Sequence, residues 1–183
     1  MQQFQIGPDL LWRPIAAGEE AVVQELIFAA LYEFQLTPDP EGVDEDIINW
    51  SNYYAGKGQG FWVLERTCGA HSHLVGSVAI HRESPKLCEL RKMYFAQAVR
   101  GQGIGFATLT WLKQWALARG YQAMRLETAS GMNAALALYQ KFGFKPLSCA
   151  NKVERCDKTL QLDLMANSGE EKDSESPLGE TLS

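Results

Sequence analysis

No apolar run in these 183 residues is long enough to cross a bilayer, which takes about 20 consecutive apolar residues. The opening stretch, MQQFQIGPDLLWRP, lacks a basic segment followed by an apolar one, so no signal peptide is expected. Cationic charge is scarce: 17 Lys and Arg stand against 22 Asp and Glu, and the net charge of −5 argues against a nucleic-acid partner. The four cysteines, Cys68, Cys88, Cys149 and Cys156, show no paired short spacing, which excludes a zinc ribbon and a disulfide framework. Reduced thiols in a cytoplasmic protein are the expectation. Of the three histidines, His71 and His73 flank Ser72 in a predicted turn without a partnering Cys or acid motif, so no metal is expected, and His81 reads as structural.

What is present describes one ordinary globular domain. An apolar share of 46% and a charged share of 21% suit a chain that buries a sizeable core, expected over residues 1–165. Most of the net charge sits beyond it. Residues 166–183 carry Glu170, Glu171, Asp173, Glu175 and Glu180 against Lys172, which puts −4 in the tail and −1 in the body. Rich in Ser and Glu, the tail is expected to be disordered.

Periodicity divides the body into elements. Phe4–Pro14 reads as a first strand, and Gly18–Phe34 as an amphipathic helix with Val23, Leu26, Ile27, Ala30, Leu31 and Phe34 on one face. After the TPDPEG loop, Val43–Ala55 reads as a second helix led by acids. Gly60–Glu65, Leu74–His81 and Leu87–Phe95 are apolar runs separated by turn residues, the pattern of an antiparallel meander. Ile104–Arg119 reads as a helix ended by Gly120, with Ile104, Ala107, Trp111, Leu112 and Trp115 on its apolar face. Ala123–Thr128 follows as a strand, Ala134–Phe142 as a helix that Asn133 could cap, and Thr159–Met165 as a last strand.

The chemistry concentrates in two segments. In CELRKMYFAQAVRGQGIG, residues 88–105, a strand runs through a short loop into a helix start. Unpaired N–H groups and the macrodipole make such a start an anion site, and Gly101, Gly103 and Gly105 would let a phosphate lie against the backbone. The form Arg100-x-x-Gly103-x-Gly105 resembles the acetyl-CoA pyrophosphate loop of the GCN5-related N-acetyltransferase (GNAT) superfamily, and AALALYQKFGF, residues 134–144, resembles its second signature. The likeness is specific from about Leu87 to Phe144 and rests on element order before that. A dinucleotide fold is the competing reading, since Glu127 falls roughly where its ribose-binding acid would. The glycines oppose it, being G-x-G-x-G rather than G-x-G-x-x-G.

The resemblance implies an α/β (α+β) fold, a mixed and mostly antiparallel twisted sheet of six to seven strands flanked by about four helices. It implies acetyl-CoA as co-substrate, held by Arg100, Gly101, Gln102, Gly103, Ile104, Gly105 and Phe106 around the pyrophosphate and by the main chain of Met93, Tyr94 and Phe95 along the pantetheine arm. Many relatives carry an asparagine contacting the cofactor seven residues before the signature tyrosine. Met132 stands there in this chain, and Asn133 one place later is the candidate contact.

Acetyl transfer from a thioester to an amine requires a held donor, a neutral nitrogen and a protonated leaving sulfur. A lysine-like amine with pKa about 10.4 costs roughly 4–5 kcal/mol to neutralise at pH 7, whereas an α-amine near 8 costs about 1–1.5. Two carboxylates could take that proton. Glu89 resembles the catalytic glutamate of the histone acetyltransferase branch, and alternation places it on the strand face of Arg91, Met93 and Phe95. Glu127 lies where ribosomal-protein N-terminal acetyltransferases carry theirs. Tyr139, in LY-x-x-x-GF, matches the tyrosine that protonates the coenzyme A thiolate in many relatives. The expected acceptor is an amine of a small molecule or peptide, with neither nucleic acid nor membrane as partner. Its pocket is expected among Tyr32, Phe34, Asp39, Glu41, Asp44, Trp50, Tyr53 and Tyr54. The sequence leaves the oligomeric state open, a homodimer included. A non-catalytic acetyl-CoA sensor is the alternative; it would keep the glycine loop and lose Glu89, Glu127 and Tyr139.

Overall fold

The computed structural model describes residues 3–147 and 157–166. Its first element is a hairpin rather than one strand: β1 (Phe4–Gly7) turns at Pro8-Asp9 and returns as β2 (Leu10–Pro14). Proline has no N–H for a ladder, so Pro8-Asp9 acts as the turn. Helix α1 (Glu20–Glu33) buries Val23, Ile27, Ala30 and Leu31, as its spacing requires. The expected second helix is broken into α2 (Glu45–Ile48) and α3 (Trp50–Tyr54). The break is at Asn49, whose φ of −96° and ψ of 29° leave the helix while its side-chain amide donates to Glu45 Oε1 at 3.2 Å.

The meander forms as expected from β3 (Gly60–Cys68), β4 (His71–Arg82) and β5 (Leu87–Phe95). His71, Ser72 and His73 are strand rather than turn residues; they pair with Cys68, Thr67 and Arg66, and the turn is made by Gly69-Ala70. A short 3-10 turn (Gln97–Val99) and the glycine loop lead into α4 (Ile104–Leu117). Then come β6 (Ala123–Thr128), α5 (Asn133–Phe142), β7 (Lys145–Pro146) and β8 (Lys158–Asp163). The sheet order is β1-β2-β3-β4-β5-β6-β8-β7, and only β5 and β6 run parallel. Among the described residues eight strands replace the expected six or seven, because the first strand folds back on itself and Lys145-Pro146 adds a two-residue edge. Cys149, Cys156 and the acidic tail after Ala166 lie outside the described residues.

Each face of the sheet carries its own core. Against α4 and α5, Trp12, Trp62, Leu90, Trp111, Trp115 and Leu126 close together, with Trp62 edge-on to both Trp111 (5.3 Å) and Trp115 (5.1 Å). Such ring pairs contribute about 0.5–1.5 kcal/mol beyond their buried area. Thr108 sits fully buried inside α4 because its hydroxyl donates to Ile104 O (2.8 Å) and accepts from the Trp12 indole (3.0 Å). On the opposite face α1, α2 and α3 cover Phe61, Val63 and Ala79.

One irregularity in β5 decides the site. Ala79 pairs with Arg91 and Ser77 with Tyr94, so two steps along β4 face three along β5. The extra residue makes a β-bulge at Lys92, whose φ is +51°. Ser77 fixes it, its hydroxyl donating to Lys92 O at 2.7 Å. The bulge overturns the expected alternation. Glu89, Arg91 and Lys92 meet the α2 side, where Tyr94 also packs, while Met93 and Phe95 pack with the α4–α5 core.

Candidate active site

The glycine loop presents donors without partners inside α4. Gly103 is the N-cap residue with φ +77°, no side chain caps the helix, and the first intrahelical donor is Ala107 N to Gly103 O at 3.1 Å. A Cβ on Gly101 or Gly103 would meet nothing within 4 Å, so both glycines are required by their positive φ and not by space. Gly105 differs: its Cβ would come within 2.8 Å of Leu138 Cδ2, so its lack of a side chain serves the packing of α4 on α5. Gly103→Ala is expected to destabilise the fold by about 1–2 kcal/mol, the left-handed penalty for a residue with a Cβ. Urea unfolding with and without acetyl-CoA measures it.

Arg100 neither points to solvent nor stands free. Its Nε donates to Phe95 O (2.7 Å), its guanidinium pairs with Glu33 of α1, and it lies 5.5 Å from the centre of the Phe34 ring. It therefore ties the loop to α1 and also lines the groove. Gln102 anchors the same loop through Ala98 O at 2.9 Å.

From this loop a groove of about 410 Å³ runs between β5 and α5, lined by Met93, Tyr94, Phe95, Gly103, Gly105 and Leu138 among others. It exists because β5 pairs with β6 only from Leu87 to Leu90, while its other side stays paired with β4 as far as Phe95. A second cavity of about 210 Å³ lies beyond, with Asp46, Glu89, Arg91, Lys92 and Glu127 in its walls. The two share Met93, Tyr94, Met132 and Tyr139. Tyr139 is 7% exposed, edge-on to Phe144, and burial raises its phenol pKa well above the ordinary value.

Charge in the second cavity is arranged in layers. Glu89, 5% exposed, accepts from Arg91 Nε at 2.6 Å. Arg91 also reaches Asp46 (3.7 Å), which takes the Tyr54 hydroxyl and lies 3.0 Å from Lys92 Nζ. Lys92 Nζ completes its shell with Asp44 Oδ1 and Val43 O, each at 2.7 Å. Glu127 has no ion pair among the described residues. Its pKa is raised, first by burial and then by Glu89, against the opposing pull of Arg125 and Arg91.

The structure thus brings Tyr139, Glu89 and Glu127 to one cavity, and the glycine loop with Met93–Phe95 to the adjoining groove. Asn133 is exposed in the first turn of α5 and lines neither space; the N-cap is Met132, not Asn133. The expected acceptor lining is replaced. None of Tyr32, Phe34, Asp39, Glu41, Asp44, Trp50, Tyr53 and Tyr54 lines the inner cavity, and Phe34 lines the groove instead. Asp44 is fully buried on Lys92, Trp50 donates to Glu20, and Tyr54 is buried against Asp46. Leu36, Val43 and Asp46 supply that wall. Lys92 and Asp46 were not expected at the site because their signal is tertiary, a bulge and an ion cluster spanning residues 44 to 92. Met132 lines both spaces where Asn133 was expected to make the contact.

The sequence profile described as the acetyltransferase (GNAT) family matches residues 24–144. The chain belongs to this family. It is 27% identical over 163 residues to the uncharacterized N-acetyltransferase YjgM of Escherichia coli, spanning 83% of this chain and 93% of that protein. A GNAT acetyltransferase from Staphylococcus aureus shares the fold with a TM-score of 0.75 at 19% identity, over 85% of this chain and 99% of that one. Another, from Elizabethkingia anophelis with acetyl-CoA bound, superposes with a TM-score of 0.59 at 16% identity, over 86% and 99%. Among the described residues of this GNAT chain no helix is long and apolar enough to cross a membrane.

Proposed function

We propose that this GNAT chain transfers acetyl from acetyl-CoA to a primary amine of a small molecule or peptide, directly within a ternary complex. The observation that carries the reading is the meeting of the groove and the acidic cavity at Tyr139 and Met132. When bound, acetyl-CoA supplies an acyl group activated as a thioester. The chain's residues do the rest. Free N–H groups of Gly101 to Phe106 take the pyrophosphate, with Arg100 bracing the loop. The exposed edge of β5 at Met93–Phe95 receives the pantetheine arm and supplies an N–H to the acetyl oxygen. Tyr139, kept protonated by burial, donates its proton to the departing sulfur.

Glu127 receives the proton of the attacking ammonium. Its raised pKa and lack of an ion pair make it a better acceptor than Glu89, whose carboxylate is held by Arg91. Glu89 acts through its charge on Glu127. A site walled by Asp46, Glu89 and Glu127 favours a cationic amine over a neutral one. Glu127→Gln is expected to lower kcat/KM on the order of tenfold at pH 7, more for a lysine-type amine than for an α-amine. The acidic limb of the pH profile should vanish with it. Stability should move the other way. The folded-state pKa of Glu127 is above its unfolded value, so folding favours the protonated form, and that contribution is lost as pH rises through the folded pKa. Above it, Glu127→Gln should melt later than the wild type. Acetyl-CoA incubated with a panel of amino acids, polyamines and peptides, followed by mass analysis of the amines, tests the function. A protein that binds acetyl-CoA and acetylates none of them would be a sensor.

A further inference from the structure

Among the described residues arginine pairing is nearly complete, and the exceptions converge. Arg13, Arg66, Arg91, Arg100 and Arg125 each hold a carboxylate. Arg82 and Arg119 have no ion pair among the described residues, and both line one cleft of about 670 Å³ together with Lys57. The cleft lies at the C-terminal end of α4, away from the glycine loop at its start, and among the described residues no Asp or Glu lines it. Glu83, next to Arg82 in sequence, is engaged by Arg125 instead.

The cleft is held in shape. Tyr121 donates its hydroxyl to Gly58 O at 2.6 Å, and Gln59 accepts from Arg82 N at 3.0 Å. Arg119 lies 3.8 Å over the Trp115 ring and donates to Trp115 O at 3.1 Å, so its guanidinium is positioned before any ligand arrives. Partial burial without a carboxylate pulls its pKa below the ordinary arginine value, whereas Arg13 and Arg91, beside theirs, are raised. In a chain of net charge −5 an uncompensated group of three cations is an electrostatic vacancy.

We propose that the cleft formed by Lys57, Arg82 and Arg119 binds a group carrying two or more adjacent negative charges, at a site separate from acetyl transfer. Two sources offer that chemistry. One is a small diffusing polyphosphate. The other is the chain's own Glu170, Glu171, Asp173 and Glu175, which follow β8. Leu164 N, one residue past that strand, donates to Gln122 O at 2.9 Å, beside Tyr121 of the cleft. A ligand tethered to the same chain has a high effective concentration wherever its tether reaches.

Titration calorimetry with inorganic tripolyphosphate decides between them, at fixed ionic strength and with acetyl-CoA present to fill the glycine loop. It is run on the full chain and on a chain ended after Ala166. The shortened chain should bind, and Arg82→Gln or Lys57→Gln, both at exposed positions, should weaken binding about tenfold, with melting temperatures checked for intact folding. Equal binding by the full chain identifies a free polyanion as the ligand; weaker binding by the full chain identifies its own acidic segment. No binding by the shortened chain, or binding indifferent to Arg82, Arg119 and Lys57, overturns the site. Should acetyl-CoA itself fail to bind, tripolyphosphate at the empty loop would be insensitive to Arg82, so the two readings fail separately.

Discussion

Tyr139→Phe should lower kcat by roughly 10²-fold while leaving the KM for acetyl-CoA within about twofold, the pattern of a group whose contribution is made in the transition state. The ring is 7% exposed and packs edge-on against Phe144 at 5.6 Å, so the phenylalanine keeps the packing and loses only the hydroxyl. Stability should hardly change, which separates a catalytic loss from an unfolded one. The residual rate should respond to the thiol. A thioester whose leaving thiol has a lower pKa needs less protonation, so the gap between wild type and Tyr139→Phe should narrow with such a donor. A purely structural tyrosine would show no dependence on the leaving group. Steady-state thiol release with two donors measures both effects.

Lys92→Met should destabilise the protein by about 3–5 kcal/mol, because it removes the cation from a buried cluster and leaves carboxylates behind. The lysine side chain is 7% exposed, Asp44 is fully buried, and Asp46 is 4% exposed. Lys92 also occupies the bulge at φ +51°, a conformation that costs a non-glycine residue free energy and is retained here because three contacts of its Nζ hold it. Urea denaturation of both proteins at neutral pH reads this out. A loss under about 1 kcal/mol would mean the acids find other partners.

The parts of the site that repeat a local chemical requirement were legible in the sequence. A helix start that must expose N–H groups needs residues tolerant of positive φ, and Gly101 and Gly103 announced one. The helical stripe ended by Gly143 placed Tyr139 on α5, and its resemblance to the tyrosine of the family's second signature is what marked it as a site residue. The meander of β3, β4 and β5 followed from three apolar runs between turns. What stayed hidden depended on partners far along the chain. The acids at positions 44 and 46 look like helix-start residues suited to the dipole, yet they are buried counter-ions for Lys92, 48 residues away from the first of them. The bulge carried no glycine to mark it, and one extra residue reversed the faces of Met93 and Phe95 relative to Glu89. The acceptor wall was misplaced for the same reason, since Leu36 and Val43 are ordinary apolar residues until α1 and α2 bring them to the cavity.

Initial-rate thiol release from acetyl-CoA, with both acetyl-CoA and amine concentrations varied, tests the central claim most directly. Transfer at a junction where groove and cavity share Tyr139 requires both substrates to be present together. The account predicts intersecting double-reciprocal lines, no burst of thiol before the amine is added, and product that carries the acetyl group on nitrogen. Parallel lines with an acetylated protein would contradict it, and so would acetyl-CoA binding without thiol release for any amine.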